Sequence, residues 1–134
     1  MANVDMNSRF LSRIIICMLS VFLHEAANGQ TGKPFIRVAR IVVDSTDLGK
    51  YNAALKEGVE TAVRVEPGVL ALYAVADKDR PTHITVFEIY ASEEAYKSHL
   101  QTPHFKKYKA ATMDMVKSLE LMDTSPIALA AKQH

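Results

Sequence analysis

Hydrophobic and polar positions change period several times after residue 34, and the changes divide the chain into elements. FIRVARIVV, Phe35 to Val43, is β-branched and strand-like. Phe35, Ala39, Ile41 and Val43 fall on one face, and Ile36, Val38 and Val42 on the other. With both faces largely apolar, this strand is expected to lie between two layers. Arg37 and Arg40 interrupt opposite faces. After the turn and cap residues Asp44-Ser45-Thr46-Asp47, Leu48, Tyr51, Leu55, Val59 and Ala62 recur at three- and four-residue steps. That is the period of one buried helical face. Gly58 weakens this helix by about 1 kcal/mol relative to alanine, and close approach to a sheet would account for it. Pro67-Gly68 ends the helix.

VLALYAVA (Val69 to Ala76) and HITVFEIY (His83 to Tyr90) read as two further strands. The polar connection DKDRPT between them is short, so they form an antiparallel hairpin. Ser92, with Glu93 and Glu94 in the next turn, starts a short helix. Thr102-Pro103-His104 breaks it and opens another, with threonine as cap and proline in the first turn. Phe105, Tyr108, Thr112 and Met115 are the expected buried positions of that helix. Leu119 and Leu121 alternate in a fourth strand ending near Asp123. The order is β-α-β-β-α-β, an α+β ferredoxin-like sandwich. Helices cover one face of its sheet, while the other keeps apolar residues with nothing in the chain to cover them. Two copies packed through that face would form a homodimer with a barrel-like interior.

Composition adds exclusions. With 134 residues, 49% hydrophobic and 23% charged, the chain is one ordinary globular domain. A formal net charge of +1 gives no reason to expect nucleic acid or an anionic membrane as partner. Lys106, Lys107 and Lys109 read as a solvated helix face. Near the start, Arg9 and Arg13 precede the apolar run Ile14 to Leu23 and the small residues Ala26-Ala27-Asn28-Gly29. That is the secretory-signal order, and the run is shorter than the roughly 20 residues of a permanent membrane anchor. The expected organisation is a signal peptide over 1–29 cleaved before Gln30, a linker over 30–34, a domain over 35–123 and a tail over 124–134. The mature protein is then exported, periplasmic or secreted. It has no cysteine, because the single one, Cys17, leaves with the signal.

Candidate chemistry concentrates between Glu88 and Tyr108. His104 sits in the first turn of a helix, where orphan N–H groups and the positive end of the dipole disfavour imidazolium. A neutral ring able to accept a proton near pH 7 is expected. His99 and Glu88 precede it and can point into the same cleft. Structural alternatives stand beside each. His104 can fix the interhelix break by donating to a carbonyl, His99 can lie on the surface, and Glu88 can form a salt bridge with Arg40. No glycine-rich nucleotide loop is present, so no organic cofactor is expected. No metal is expected either, since His99 and His104 are five apart with a proline between them and share no helix face.

The string His99-Leu100-Gln101-Thr102-Pro103-His104, with Glu88-Ile89-Tyr90 ahead of it, resembles the antibiotic biosynthesis monooxygenase family of small dimeric α+β barrel proteins. The resemblance extends over roughly Phe35 to Asp123. It implies the same homodimer, and oxidation of a quinol-like or polyphenolic small molecule by dioxygen with no metal or flavin. On that reading His104 is the base, and His99 or Glu88 orients it or binds a substrate hydroxyl. Arg40 stabilises an anion, and Tyr73, Phe87 and Tyr90 are aromatic walls. Haem-degrading relatives use a tryptophan and an asparagine. This chain has no Trp, and Arg40 falls about where the asparagine would. Two alternatives remain on the same scaffold: isomerisation of a small hydroxy-ketone, and binding of a hydrophobic ligand without turnover.

Overall fold

The computed structural model describes residues 32–132. The expected signal peptide and its cleavage point lie outside the described residues. Four strands, β1 (Phe35–Val43), β2 (Val69–Ala76), β3 (His83–Tyr90) and β4 (Val116–Thr124), form one antiparallel sheet in the order β2-β3-β1-β4. Helix α1 (Leu48–Val65) follows β1, and α2 (Glu93–His99) and α3 (Pro103–Thr112) follow β3. A single 3-10 turn, Met113–Met115, leads into β4. This is the expected ferredoxin-like fold, with its second helical position divided in two. Among the described residues no helix is long and apolar enough to cross a membrane.

Strand alternation decides which residues meet the helices. Ala39, Ile41 and Val43 of β1, with Ile84 and Val86 of β3, pack against Tyr51 and Leu55 of α1. A second cluster joins Ala62, Val69 and Tyr90, flanked by Phe35, Leu72 and Tyr96. Each large apolar side chain removed from water in these clusters contributes about 1.5–3 kcal/mol. The register places Tyr73 beside Phe87 and Phe87 beside Val38, all on the opposite face. On that face Tyr73 and Val75 are 60% and 61% exposed.

The helix starts obey local chemistry at two of three places. Ser92 Oγ accepts from Ala95 N at 3.1 Å, and Thr102 Oγ1 accepts from Phe105 N at 3.3 Å, with Pro103 in the first turn. At α1 the cap position, Asp47, makes no side-chain cap bond. Asp44 forms a local turn instead, accepting from Thr46 N at 2.9 Å and Thr46 Oγ1 at 2.7 Å.

Two glycines mark close packing. Gly58 faces α3 and not the sheet: a Cβ there would lie 3.7 Å from Tyr108 Cβ. At Gly68 a Cβ would come within 2.7 Å of Ala95 Cβ. The bare Gly68 therefore lets the turn after α1 rest directly on α2, and its carbonyl accepts from the N–H of Ala91, just ahead of that helix, at 2.9 Å.

Candidate active site

Between the three helices and the helix-facing side of the sheet lies an open-ended cavity of about 140 Å³. Leu55, Val59, Leu72, Val86 and Phe105 give it a mostly apolar wall, into which Arg37, Glu88, Tyr90, His99, His104 and Tyr108 bring polar atoms.

The two histidines arrive from different elements. His99 ends α2 and is only 7% exposed, so the surface placement is excluded. His104 sits in the first turn of α3, as the Thr-Pro-His sequence implies. They meet at a residue the sequence did not single out. Glu66 Oε1 lies 2.8 Å from His99 Nδ1 and 2.5 Å from His104 Nε2. An ionised carboxylate only accepts, so both of those ring nitrogens carry hydrogen and donate to it. In neutral rings this leaves His99 Nε2 and His104 Nδ1 as acceptors. Thr102 supports the assignment. Its hydroxyl donates to the His99 carbonyl at 2.7 Å, and so its oxygen is free to accept from His104 Nε2 at 3.2 Å. His104 thus donates to a carboxylate, not to the main-chain carbonyl considered from sequence.

Glu66 owes its position to the proline after it. The residue before a proline is pushed out of helical geometry, and Glu66 is extended, with φ −105° and ψ 109°. Its side chain therefore leaves the face that α1 presents and turns toward the two imidazoles. No helical periodicity could have flagged it.

Glu88 lies on the same cavity wall but in another network. It accepts from Tyr90 O–H at 2.9 Å and stands across the ladder from Arg37. Burial pushes its carboxyl above the usual range, against the lowering pull of the Tyr90 bond and the Arg37 charge. Burial and the Glu88 carboxylate push the Tyr90 phenol up in turn. Arg37 packs its guanidinium 4.3 Å from the Tyr96 ring centroid, bonds the Tyr96 hydroxyl, and pairs with Asp123 at 2.6 Å.

The seven sequence candidates therefore separate. His99, His104, Glu88 and Tyr90 come together around the cavity. Arg40, Tyr73 and Phe87 do not, because each occupies the alternate parity of its strand and lies on the far face of the sheet. Arg40 is solvent-exposed, 3.7 Å from Glu120, and is not the partner of Glu88. Arg37 takes the place expected of Arg40. Sequence had placed the two arginines on opposite faces, but only strand register decides which face meets Glu88.

The Glu66 oxygen and the two ring nitrogens also lie within 4.8 Å of one another. Two imidazoles and one carboxylate are a donor set that divalent transition metals accept, so five-residue spacing alone did not exclude a metal here. An ion would have to replace both ring protons now directed at Glu66.

The comparisons with known proteins agree with this architecture. No curated protein matches the chain. Among solved structures, a proposed antibiotic biosynthesis monooxygenase from Bacteroides thetaiotaomicron is 55% identical, with a TM-score of 0.73 over 76% of this chain and 97% of that one. A proposed monooxygenase from Lactobacillus acidophilus is 32% identical, with a TM-score of 0.67 over 68% of this chain and 43% of that longer one. A Mycobacterium tuberculosis protein, 22% identical with a TM-score of 0.66 over 74% of this chain and all of that one, shares the fold. The family model for antibiotic biosynthesis monooxygenases matches residues 34–111. With that match spanning more than half its length, the chain belongs to the antibiotic biosynthesis monooxygenase family.

Proposed function

We propose that this protein oxidises a quinol-like or polyphenolic small molecule with dioxygen, using its own side chains to handle the protons. The observation that carries the reading is the Glu66-bridged imidazole pair at the wall of a mostly apolar cavity. A phenol is a poor electron donor until it loses its proton. His104 takes that proton at its free ring nitrogen, while Glu66 holds the ring in place and stabilises the charge it gains. The phenolate then passes one electron to dioxygen, and the resulting ring radical and superoxide combine at ring carbon. Loss of water leaves a quinone. One oxygen atom enters the product and the other leaves as water, so a phenol and dioxygen balance a quinone and water with no external reductant. The apolar wall keeps bulk water from the anion.

Export to the periplasm or beyond, as a homodimer joined through the far face of the sheet, completes the proposal. The exposed Tyr73 and Val75 support such an interface.

The test is dioxygen uptake with a panel of hydroquinones. Wild type consumes dioxygen, while His104→Ala and Glu66→Gln each lose about 100-fold in kcat, the lower end of general acid–base contributions. Hydroquinone binding without uptake in the wild type overturns the oxidation reading and leaves a binding protein.

A further inference from the structure

The hydroxyls of Tyr51 and Tyr108 lie 2.6 Å apart, with their rings edge-on at 66°. Two hydroxyls at that distance share one proton along the line between them, and the second proton must go elsewhere. Tyr51, on α1, is fully buried, and Tyr108 is the sole partner of its hydroxyl among the described residues. If Tyr108 donated, the Tyr51 proton would be enclosed with no acceptor, an arrangement folded proteins avoid. Tyr51 is therefore the donor and Tyr108 oxygen the acceptor. The proton of Tyr108 is left over.

Tyr108 is on the cavity wall and Tyr51 is behind it. Leu55, Val59 and Phe105 share that wall and offer no side-chain acceptor. Among the described residues Glu88, His99 and His104, which also line the cavity, bond to Tyr90, Glu66 and Thr102 and not to Tyr108. Burial pushes both phenols up from their ordinary values, so both remain donors at neutral pH. The cavity, at about 140 Å³, is close to the ~150 Å³ apolar void that takes a benzene ring.

We propose that the Tyr108 hydroxyl is a second polar anchor of the cavity, donating to an acceptor oxygen of the substrate, and that the substrate is a single aromatic ring bearing two oxygen functions. One is the acidic hydroxyl served by the imidazole pair, and the other is the oxygen held by Tyr108. Tyr108 is then a substrate-binding residue, and Tyr51 a positioning residue that aims it. The role given to the first oxygen rests on the oxidation reading above, whereas the second anchor and the one-ring limit do not.

Binding of para-hydroquinone, phenol and a two-ring naphthohydroquinone to the purified protein, measured calorimetrically without oxygen, tests this apart from turnover. In wild type, hydroquinone binds about tenfold more tightly than phenol, the value of one neutral hydrogen bond, and the two-ring compound binds more weakly than either. Tyr108→Phe abolishes the preference by weakening hydroquinone about tenfold while leaving phenol unchanged. Because that variant strands the Tyr51 proton, the double variant Tyr51→Phe/Tyr108→Phe, with no stranded proton, serves as the folded control and shows the same loss. Tyr51→Phe alone keeps part of the preference. A preference that survives in both variants carrying Phe at 108, equal binding of the two-ring compound, or no binding of any of the three overturns the inference. Absence of dioxygen uptake, with this binding pattern intact, overturns only the oxidation reading.

Discussion

Arg37 and Arg40 lie three residues apart on one strand, and their surroundings show how different the two faces of this sheet are. The Arg37 side chain is 14% exposed and that of Arg40 62%. Arg37 is flanked by the Phe35 and Tyr96 rings, bonds Tyr96 and Asp123, and stands opposite Glu88. Among the described residues Arg40 pairs with Glu120 alone, across 3.7 Å. Both sit in the same ladder, between the same two strands. On the helix side, charges are brought out of water and must be matched, so each has several partners. On the far side solvent does that work, and an ion pair adds little.

Deleting each arginine gives the largest contrast. Arg37→Ala strands Tyr96 and leaves the buried Glu88 without its facing cation. A loss of about 2 kcal/mol is expected in denaturant unfolding. Arg40→Ala stays within about 0.5 kcal/mol. Equal losses for the two would break the comparison.

A second, smaller effect separates the faces by pH. Glu88 has its carboxyl raised chiefly by burial. As pH climbs through the usual carboxylate range, the unfolded chain releases this proton while the folded one retains it. The stability Glu88 contributes is therefore full below that range and lost as pH rises through its raised folded value. Glu88→Gln should flatten this part of the profile and gain on wild type as pH increases, read from thermal unfolding at a series of pH values. A wild-type advantage that grows with pH over the same window would show that the Arg37 charge and the Tyr90 bond outweigh desolvation.

The smallest expected effect lies at Gly58. A Cβ there meets Tyr108 only at ordinary contact distances, 3.7 to 4.0 Å, so the helix-propensity gain should dominate. Gly58→Ala is expected to stabilise by about 0.5–1 kcal/mol in denaturant unfolding. A destabilised variant would mean that the α1–α3 contact beneath the cavity is tighter than its distances indicate.

Local chemistry was legible wherever a residue's role depends on its near neighbours. The alternation in FIRVARIVV, the Ser92 and Thr102 caps and the proline at 103 all place elements by contacts within a few residues. His99, His104, Glu88 and Tyr90 were legible for the same reason, being close in the chain and aimed by those elements. Arg40, Tyr73 and Phe87 were misplaced relative to the cavity because the right residue types stood at the wrong strand parity. Of the turn and cap residues Asp44 to Asp47, Asp44 forms the turn, and Asp47 makes no side-chain cap bond to α1.

The amino-acid order by itself determined the strands, the helices and where the Thr-Pro-His break would fall, since hydrogen-bond caps and side-chain periods act over one or two turns. Only the tertiary structure decided which arginine faces Glu88 and which tyrosine lines the cavity, because both depend on register between segments. It alone brought in Glu66, which stands 33 and 38 residues from the histidines it joins. A proline turns that carboxylate off its helix, and a bare glycine lets the turn rest against α2. Neither signal carries meaning until the chain has closed upon itself.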